Sequence, residues 1–181
     1  MVTQIISSIK KGGRNAAFFL LWMAMILPAA QTMEIWPTPK LPVTHVRVLK
    51  SERRLELWIN EIKLRSYKIS LGPQPIGAKR QEGDGRTPEG NYILDFRKVD
   101  SVAYKAIHVS YPSEYDKAAA RIVGVSAGGS IMVHGNWNGW GALGPLMRYI
   151  DWTNGCIGMT NADIDDMWNL VAWQTPIEIL P

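Results

Sequence analysis

From Val46 to Leu71 the apolar residues of this chain fall mostly on alternate positions, and that period most constrains its fold. Val46 and Val48 open the pattern. Leu55, Leu57 and Ile59 continue it after Lys50-Ser51-Glu52, which reads as a turn. Asn60-Glu61 predicts a second turn, and Ile62, Leu64, Tyr67, Ile69 and Leu71 follow with one slip in phase. Period two places successive side chains on opposite faces of a strand. One slip is what a single extra residue in a bulge produces. The segment therefore predicts three antiparallel strands in a meander.

Gly72 to Gly90 reads as a long glycine- and proline-rich loop, with Thr87-Pro88-Glu89-Gly90 as a turn. Asn91–Phe96 and Ala106–Ser110 are further strand candidates, and Ser113–Arg121 is a short helix. Gly124–Gly129 is a loop, and the apolar Ile131-Met132-Val133 suits a central buried strand. Leu143–Ile150 predicts a short helix. Thr160-Asn161-Ala162-Asp163 resembles a capping box, and Ile164, Met167, Trp168 and Val171 follow at helical spacing. Pro176 is expected to stop that helix, and Ile177–Leu180 to be a closing strand. The sum is a mostly-β domain with two or three short helices.

The segment 1–30 reads as a secretory signal peptide. Lys10, Lys11 and Arg14 precede an unbroken apolar run, Ala16–Leu27, and Pro28-Ala29-Ala30 supplies small residues for cleavage. At about 1.5 Å per residue that run is too short for a hydrocarbon core of about 30 Å. The proline-rich 31–44 is a linker, and 45–181 is one domain. The three basic residues of the signal account for most of the net charge of +4. The remainder is nearly neutral, so no nucleic-acid surface is expected. No basic block marks a membrane surface, so no tight membrane association is expected after signal removal.

Cys156 is the only cysteine, so it forms no internal disulfide. Composition leaves two readings open: an inert buried thiol, or a nucleophile activated by a nearby imidazole. His134 closes the apolar run upstream, and Gly155 and Gly158 allow tight turns around the thiol. His108 alternates with apolar residues and reads as a strand histidine facing a groove or solvent. His45 has no evident partner. One cysteine and three histidines lack the spacing of paired zinc ligands.

His134-Gly135 followed by Thr153-Asn154-Gly155-Cys156-Ile157 resembles the active-site signature of the YkuD-type L,D-transpeptidase domain. That signature has an upstream His-Gly and a downstream Ser/Thr-His-Gly-Cys, then an aliphatic residue and an arginine. The stretch Gly83-Asp84-Gly85-Arg86-Thr87-Pro88-Glu89-Gly90 resembles a second block of the same family. The resemblance implies an L,D-transpeptidase-type β-sandwich or barrel in the periplasm or cell envelope, acting on peptidoglycan stem peptides. It implies no metal or organic cofactor. It implies Cys156 as nucleophile and His134 as base, with Gly135 orienting the imidazole through its carbonyl. The N–H groups of Gly155 and Cys156 would hold the oxyanion. An amine acceptor would give a cross-link. Water would give a carboxypeptidase or amidase, including one that releases a wall-linked lipoprotein. A non-catalytic wall-binding module is the third reading.

Two positions depart from the pattern: Asn154 replaces the usual histidine, and Gly158 the usual arginine. Asn154 is expected to face the substrate, and Gly158 to leave open space and no charge. Arg86 either belongs to a structural turn or pairs with a substrate carboxylate. Trp137 and Trp152, with Trp140, either wall a substrate groove or pack. Asn136–Gly144 is expected to form a flap over the cleft.

Overall fold

The computed structural model describes residues 43–181. The expected signal segment, and the linker as far as residue 42, lie outside the described residues. The described residues form one eight-stranded sheet: β1 His45–Leu49, β2 Arg54–Ile59, β3 Ile62–Lys68, β4 Gly90–Ser101, β5 Tyr104–Val109, β6 Met132–His134, β7 Ile157–Gly158 and β8 Thr175–Leu180. Three helices accompany it: α1 Glu114–Ile122, α2 Gly144–Met147 and α3 Asn161–Leu170. The strand order is β3-β2-β1-β8-β4-β5-β6-β7.

The alternating residues build the core. Val46 lies opposite Leu57 and Val48 opposite Leu55, and all four are fully buried. On its other side β1 runs parallel to β8, with Val46 beside Ile177 and Val48 beside Ile179. β4 continues the stripe by placing Tyr92 beside Ile177. Each aliphatic side chain so buried contributes about 1.5–3 kcal/mol, and the stripe supplies a core without a disulfide. The slip in β3 is a bulge: Leu57 pairs with Arg65 and Trp58 with Lys63, which leaves Leu64 as the extra residue. Ile62, expected inside, is exposed at the tip of this edge hairpin.

Four expectations need correction. β4 runs on from Phe96 to Ser101; its last residues are charged and exposed, so no burial pattern marked them. The strand at Ile131–Val133 is not central but seventh of eight, between β5 and the two-residue β7. Thr87–Gly90 is no turn: the chain runs through it without one into β4, and the turn lies earlier, around Gln81–Asp84. Pro176 does not stop α3. Val171 ends it by adopting an extended conformation, φ −88° and ψ 134°, that takes its side chain into the core. Pro176 sits inside β8, the expected last strand, which lies between β1 and β4.

Beyond β3 the chain bridges to β7, the far edge of the sheet. Ser70 N–H donates to Gly158 O at 2.9 Å, and Gly158 N–H donates to Ser70 O at 2.8 Å. The sheet thereby curls until its two edges meet. The segment that follows Cys156 forms this seam.

Candidate active site

β6 and β7 pair in parallel, with Val133 beside Ile157 and His134 beside Gly158. Val133 and Ile157 point into the core and are fully buried. Alternation then sends Met132, His134 and Cys156 to the opposite face. Two residues of β6 and the residue before β7 thus reach one cavity of about 350 Å³, whose walls also include Lys98, Ser130, Trp137, Trp152 and Asn154. A second cavity, about 450 Å³, also reaches Cys156 and is walled by Lys79, Glu82, Gly83, Gly85, Gly128 and Gly129. Ser130, Asn154 and Cys156 belong to both.

The Cys156 sulfur accepts a hydrogen bond from Met132 N–H at 3.4 Å and faces Ser130 O at 3.6 Å. Burial pushes the thiol above its ordinary value, against the opposing pull of the Met132 N–H and of Lys79. His134 is buried, and burial pushes its imidazole below the usual value, against the Gly135 carbonyl. The resting pair is therefore thiol and neutral imidazole. His134 Nδ1 lies 2.7 Å from Gly135 O. A carbonyl only accepts, so Nδ1 carries the proton and Nε2 is the free base. No hydrogen bond joins His134 to Cys156 among the described residues.

Gly155 has φ +111°, and a Cβ there would stand 2.4 Å from Arg86 O, so only glycine fits. Its carbonyl accepts from the buried Thr87 hydroxyl at 2.9 Å. Thr153 Oγ1 accepts from Gly155 N–H at 3.3 Å and donates to Cys156 O at 2.7 Å. Thr153 thus already occupies the Gly155 N–H, whereas the Cys156 N–H has no partner among the described residues.

The other expected site residues divide. Asn154 is exposed, and Trp137 and Trp152 wall the first cavity. Arg86 is not brought there: its Nη1 lies 3.1 Å from where a Gly77 Cβ would stand. Gly158 does not leave open space. A Cβ on it would meet Trp152 Cζ2 at 2.9 Å and Thr153 Cγ2 at 3.1 Å. His108 sits elsewhere, 2.7 Å from Asp95 and stacked on Phe96. The expected flap is tied to the β4–β5 hairpin: Asn138 N–H donates to Val102 O, and its side chain bonds Tyr104 N–H and Ser101 O. Among the described residues no group of three or more His, Cys, Asp or Glu side chains could hold a metal ion.

Sequence reasoning missed the supports. Asp151 accepts from Arg53 and from Leu71 N–H, and Thr153 N–H donates to Leu71 O. The buried Lys79 pairs with the half-buried Asp84, Nζ to Oδ1 at 2.8 Å. Burial alone would raise the Asp84 carboxyl. Lys79 and the N–H groups of Arg80, Gln81 and Arg86 outweigh it and hold that carboxyl at about 2. Asp84 and Thr87 belong to a quoted motif, which was a signal. Arg53 and Leu71 had none, because their partners lie 98 and 80 residues away.

Residues 43–179 match the family model of the L,D-transpeptidase catalytic domain. YafK of Escherichia coli (strain K12) is 31% identical over 133 residues, which covers 70% of this chain and 46% of YafK. The chain thus spans about half the length of that relative. Among solved structures, the helical cell shape determining protein Pgp2 from Campylobacter jejuni superposes with a TM-score of 0.57 at 19% identity, covering 79% of this chain and 51% of Pgp2. Bd1075 of Bdellovibrio bacteriovorus gives 0.53 at 24% identity, covering 77% and 48%. These two likenesses concern the fold. With the family match spanning nearly all described residues, the chain belongs to the L,D-transpeptidase catalytic domain family.

Proposed function

We propose that this protein is a cysteine-dependent L,D-transpeptidase acting on peptidoglycan stem peptides. One observation carries the reading: in a domain of this family, the lone thiol and an imidazole of fixed tautomer line one cavity. His134 Nε2 takes the Cys156 proton. Catalytic pairs are often longer before substrate binds than during reaction, which suits the absence of a direct bond here. The thiolate attacks the carbonyl of the third stem residue, a diamino acid. The Cys156 N–H stabilises the developing oxyanion. Collapse expels the terminal D-alanine, whose amine takes the proton back from His134, and leaves a thioester on Cys156. An amine acceptor then attacks the thioester carbonyl, its proton passing to His134; the C–S bond breaks as the amide cross-link forms, and the Cys156 thiolate takes that proton back from His134.

A second reading is hydrolysis of the thioester by water, giving a carboxypeptidase or an amidase that frees a wall-linked lipoprotein. Trp152 favours it, since an uncharged indole fills the place where the family pattern carries a cation able to hold an acceptor carboxylate. Both readings place the protein in the periplasm or cell envelope, supported by the apolar run at Ala16–Leu27. The test is mass spectrometry of products from a defined tetrapeptide muropeptide, with and without an added amine acceptor. Cross-linked dimer is expected from the wild type and none from Cys156→Ala. Tripeptide alone in the presence of acceptor would select hydrolysis. Turnover by folded Cys156→Ala would eliminate both.

A further inference from the structure

The indole of Trp152 stands against Gly158, where an added Cβ would lie 2.9 Å from Cζ2 and 3.3 Å from Cε2. Gly158 is the sheet partner of His134. The same indole meets the His134 ring edge to face, with centroids 5.4 Å apart at 73°. Trp137 backs the indole at 5.0 Å and 71°. The chain clamps Trp152 on both flanks. Asp151 Oδ1 accepts from Leu71 N–H at 3.0 Å, and Thr153 N–H donates to Leu71 O at 3.0 Å. Arg53 holds the Asp151 carboxylate through Nε at 3.0 Å and Nη2 at 2.7 Å. One residue, Leu71, therefore holds the side chain of the residue before the indole and the backbone of the residue after it.

The hydrogen bond from Nδ1 to Gly135 O selects the tautomer of His134. One hydrogen bond does not by itself fix both side-chain torsions, so the tilt of the ring also depends on what packs against it. We propose that Trp152 is the positioning residue of this site: its indole, seated in the space that Gly158 leaves, sets the tilt of His134 toward Cys156. This rests on the roles given above to Cys156 and His134. Residues 152 and 158 then form a mutually dependent pair. An added Cβ at 158 would crowd the indole in its present seat, at 2.9 Å from Cζ2, more closely than it crowds Thr153 Cγ2 at 3.1 Å.

The pair can be tested by a double-mutant cycle on the full chain, using Trp152→Ala, Gly158→Ala and the double variant. Two readouts apply: the rate of Cys156 alkylation by iodoacetamide across pH, and the NMR titration of His134. Besides His134, Lys98 and the Cys156 thiol are the charged or titratable side chains among the described residues lining this cavity, and repeating the titration in Cys156→Ala removes the thiol from it. Misplacing a catalytic group by about 1 Å costs on the order of 100-fold, and Trp152→Ala is expected to slow alkylation at neutral pH toward that limit. It should also move the His134 titration up toward the ordinary histidine value. Trp152→Phe should restore most of the rate, and Trp173→Ala, on a distant exposed indole, should change nothing. Gly158→Ala should reproduce the Trp152→Ala defect, and in the double variant it should add nothing to it.

Gly158→Ala at the wild-type rate would overturn the proposal, as would two defects that multiply in the double variant. Should Trp152→Ala not fold, the cycle is run with Trp152→Phe, whose smaller ring should relieve the Gly158→Ala defect; no relief counts against the proposal. Neither readout needs a peptidoglycan substrate. If Cys156→Ala still turned over muropeptide, the functional reading would fall, while the His134 titration would still decide whether Trp152 sets that ring.

Discussion

Cys156 stands where two unlike walls meet. The wall from His134 to Trp152 is made of side chains: an imidazole, two indoles and a lysine rim. The other wall is rich in glycine, with Gly83, Gly85, Gly128 and Gly129 beside Lys79 and Glu82, and its backbone is held by polar side chains. Asp84 receives Lys79 and three N–H groups, and the Thr87 hydroxyl ties the Gly155 carbonyl. The difference teaches that the two motif blocks do different work. One presents reacting groups, and the other fixes the backbone that presents them. Loss of a side chain should therefore act on rate at the first wall and on stability at the second.

The largest effect should come from His134→Ala. A positioned base contributes typically about 10²–10⁴-fold, and Cys156 alkylation at neutral pH is expected to fall within that range. The sign with pH follows from the shifts. In the wild type the rate should fall as pH drops through a His134 value below the ordinary 6.5, because the base becomes protonated. The variant should lose that acid limb and follow only the thiol, which burial places above its ordinary 9.0. An acid limb that persists in His134→Ala would assign it to another group.

Asp84→Ala comes next, and it should act on stability. Asp84→Ala strands the charge of the buried Lys79; breaking a fully buried pair costs about 3–5 kcal/mol, and for this partly buried one denaturant unfolding should show a loss toward the lower end of that range. The Asp84 carboxyl is held at about 2 in the folded protein and rises to the ordinary 3.8 on unfolding. Its contribution is thus complete above pH 3.8 and fades as pH falls toward 2. Stability of the wild type should decline across that window, and the variant should decline less. If folded Asp84→Ala instead lost alkylation as deeply as His134→Ala, the division between the two walls would not hold.

The smallest effect should come from Arg86→Ala. Its side chain reaches toward Gly77 and lines neither cavity, although it lies within the quoted motif. A surface change away from specific contacts is worth about 0.5 kcal/mol or less, so acylation should stay within about twofold. A large rise in KM for a muropeptide donor would show that the arginine swings into the site on binding.

Much of the site was legible because its chemistry is local. Cys156, His134 and the glycine before the thiol stand in short motifs, and motifs survive in one dimension. Asn154 was legible as a departure, and the structure leaves it exposed where the two cavities meet. Gly158 was misread. A missing side chain looks like space in a sequence, yet Trp152, six residues earlier, fills that space in the fold. Arg86 was ambiguous for the same reason. A motif names the residue, but the direction of its side chain depends on which backbone lies beside it.

The sequence by itself determined the strands of the meander, one slip in the phase of its third strand, the α1 and α3 segments and the candidate thiol and imidazole. These depend on periods of two or 3.6 residues and on caps within one turn, all of which are local backbone properties. Only the tertiary structure decided that β8 lies between β1 and β4, and that Ser70 meets Gly158 to bring the sheet edges together. It also decided that Trp152 faces His134 while Arg86 turns away. Such contacts join residues far apart in the chain. Their partners are chosen by the summed burial of the whole core, which no local window contains.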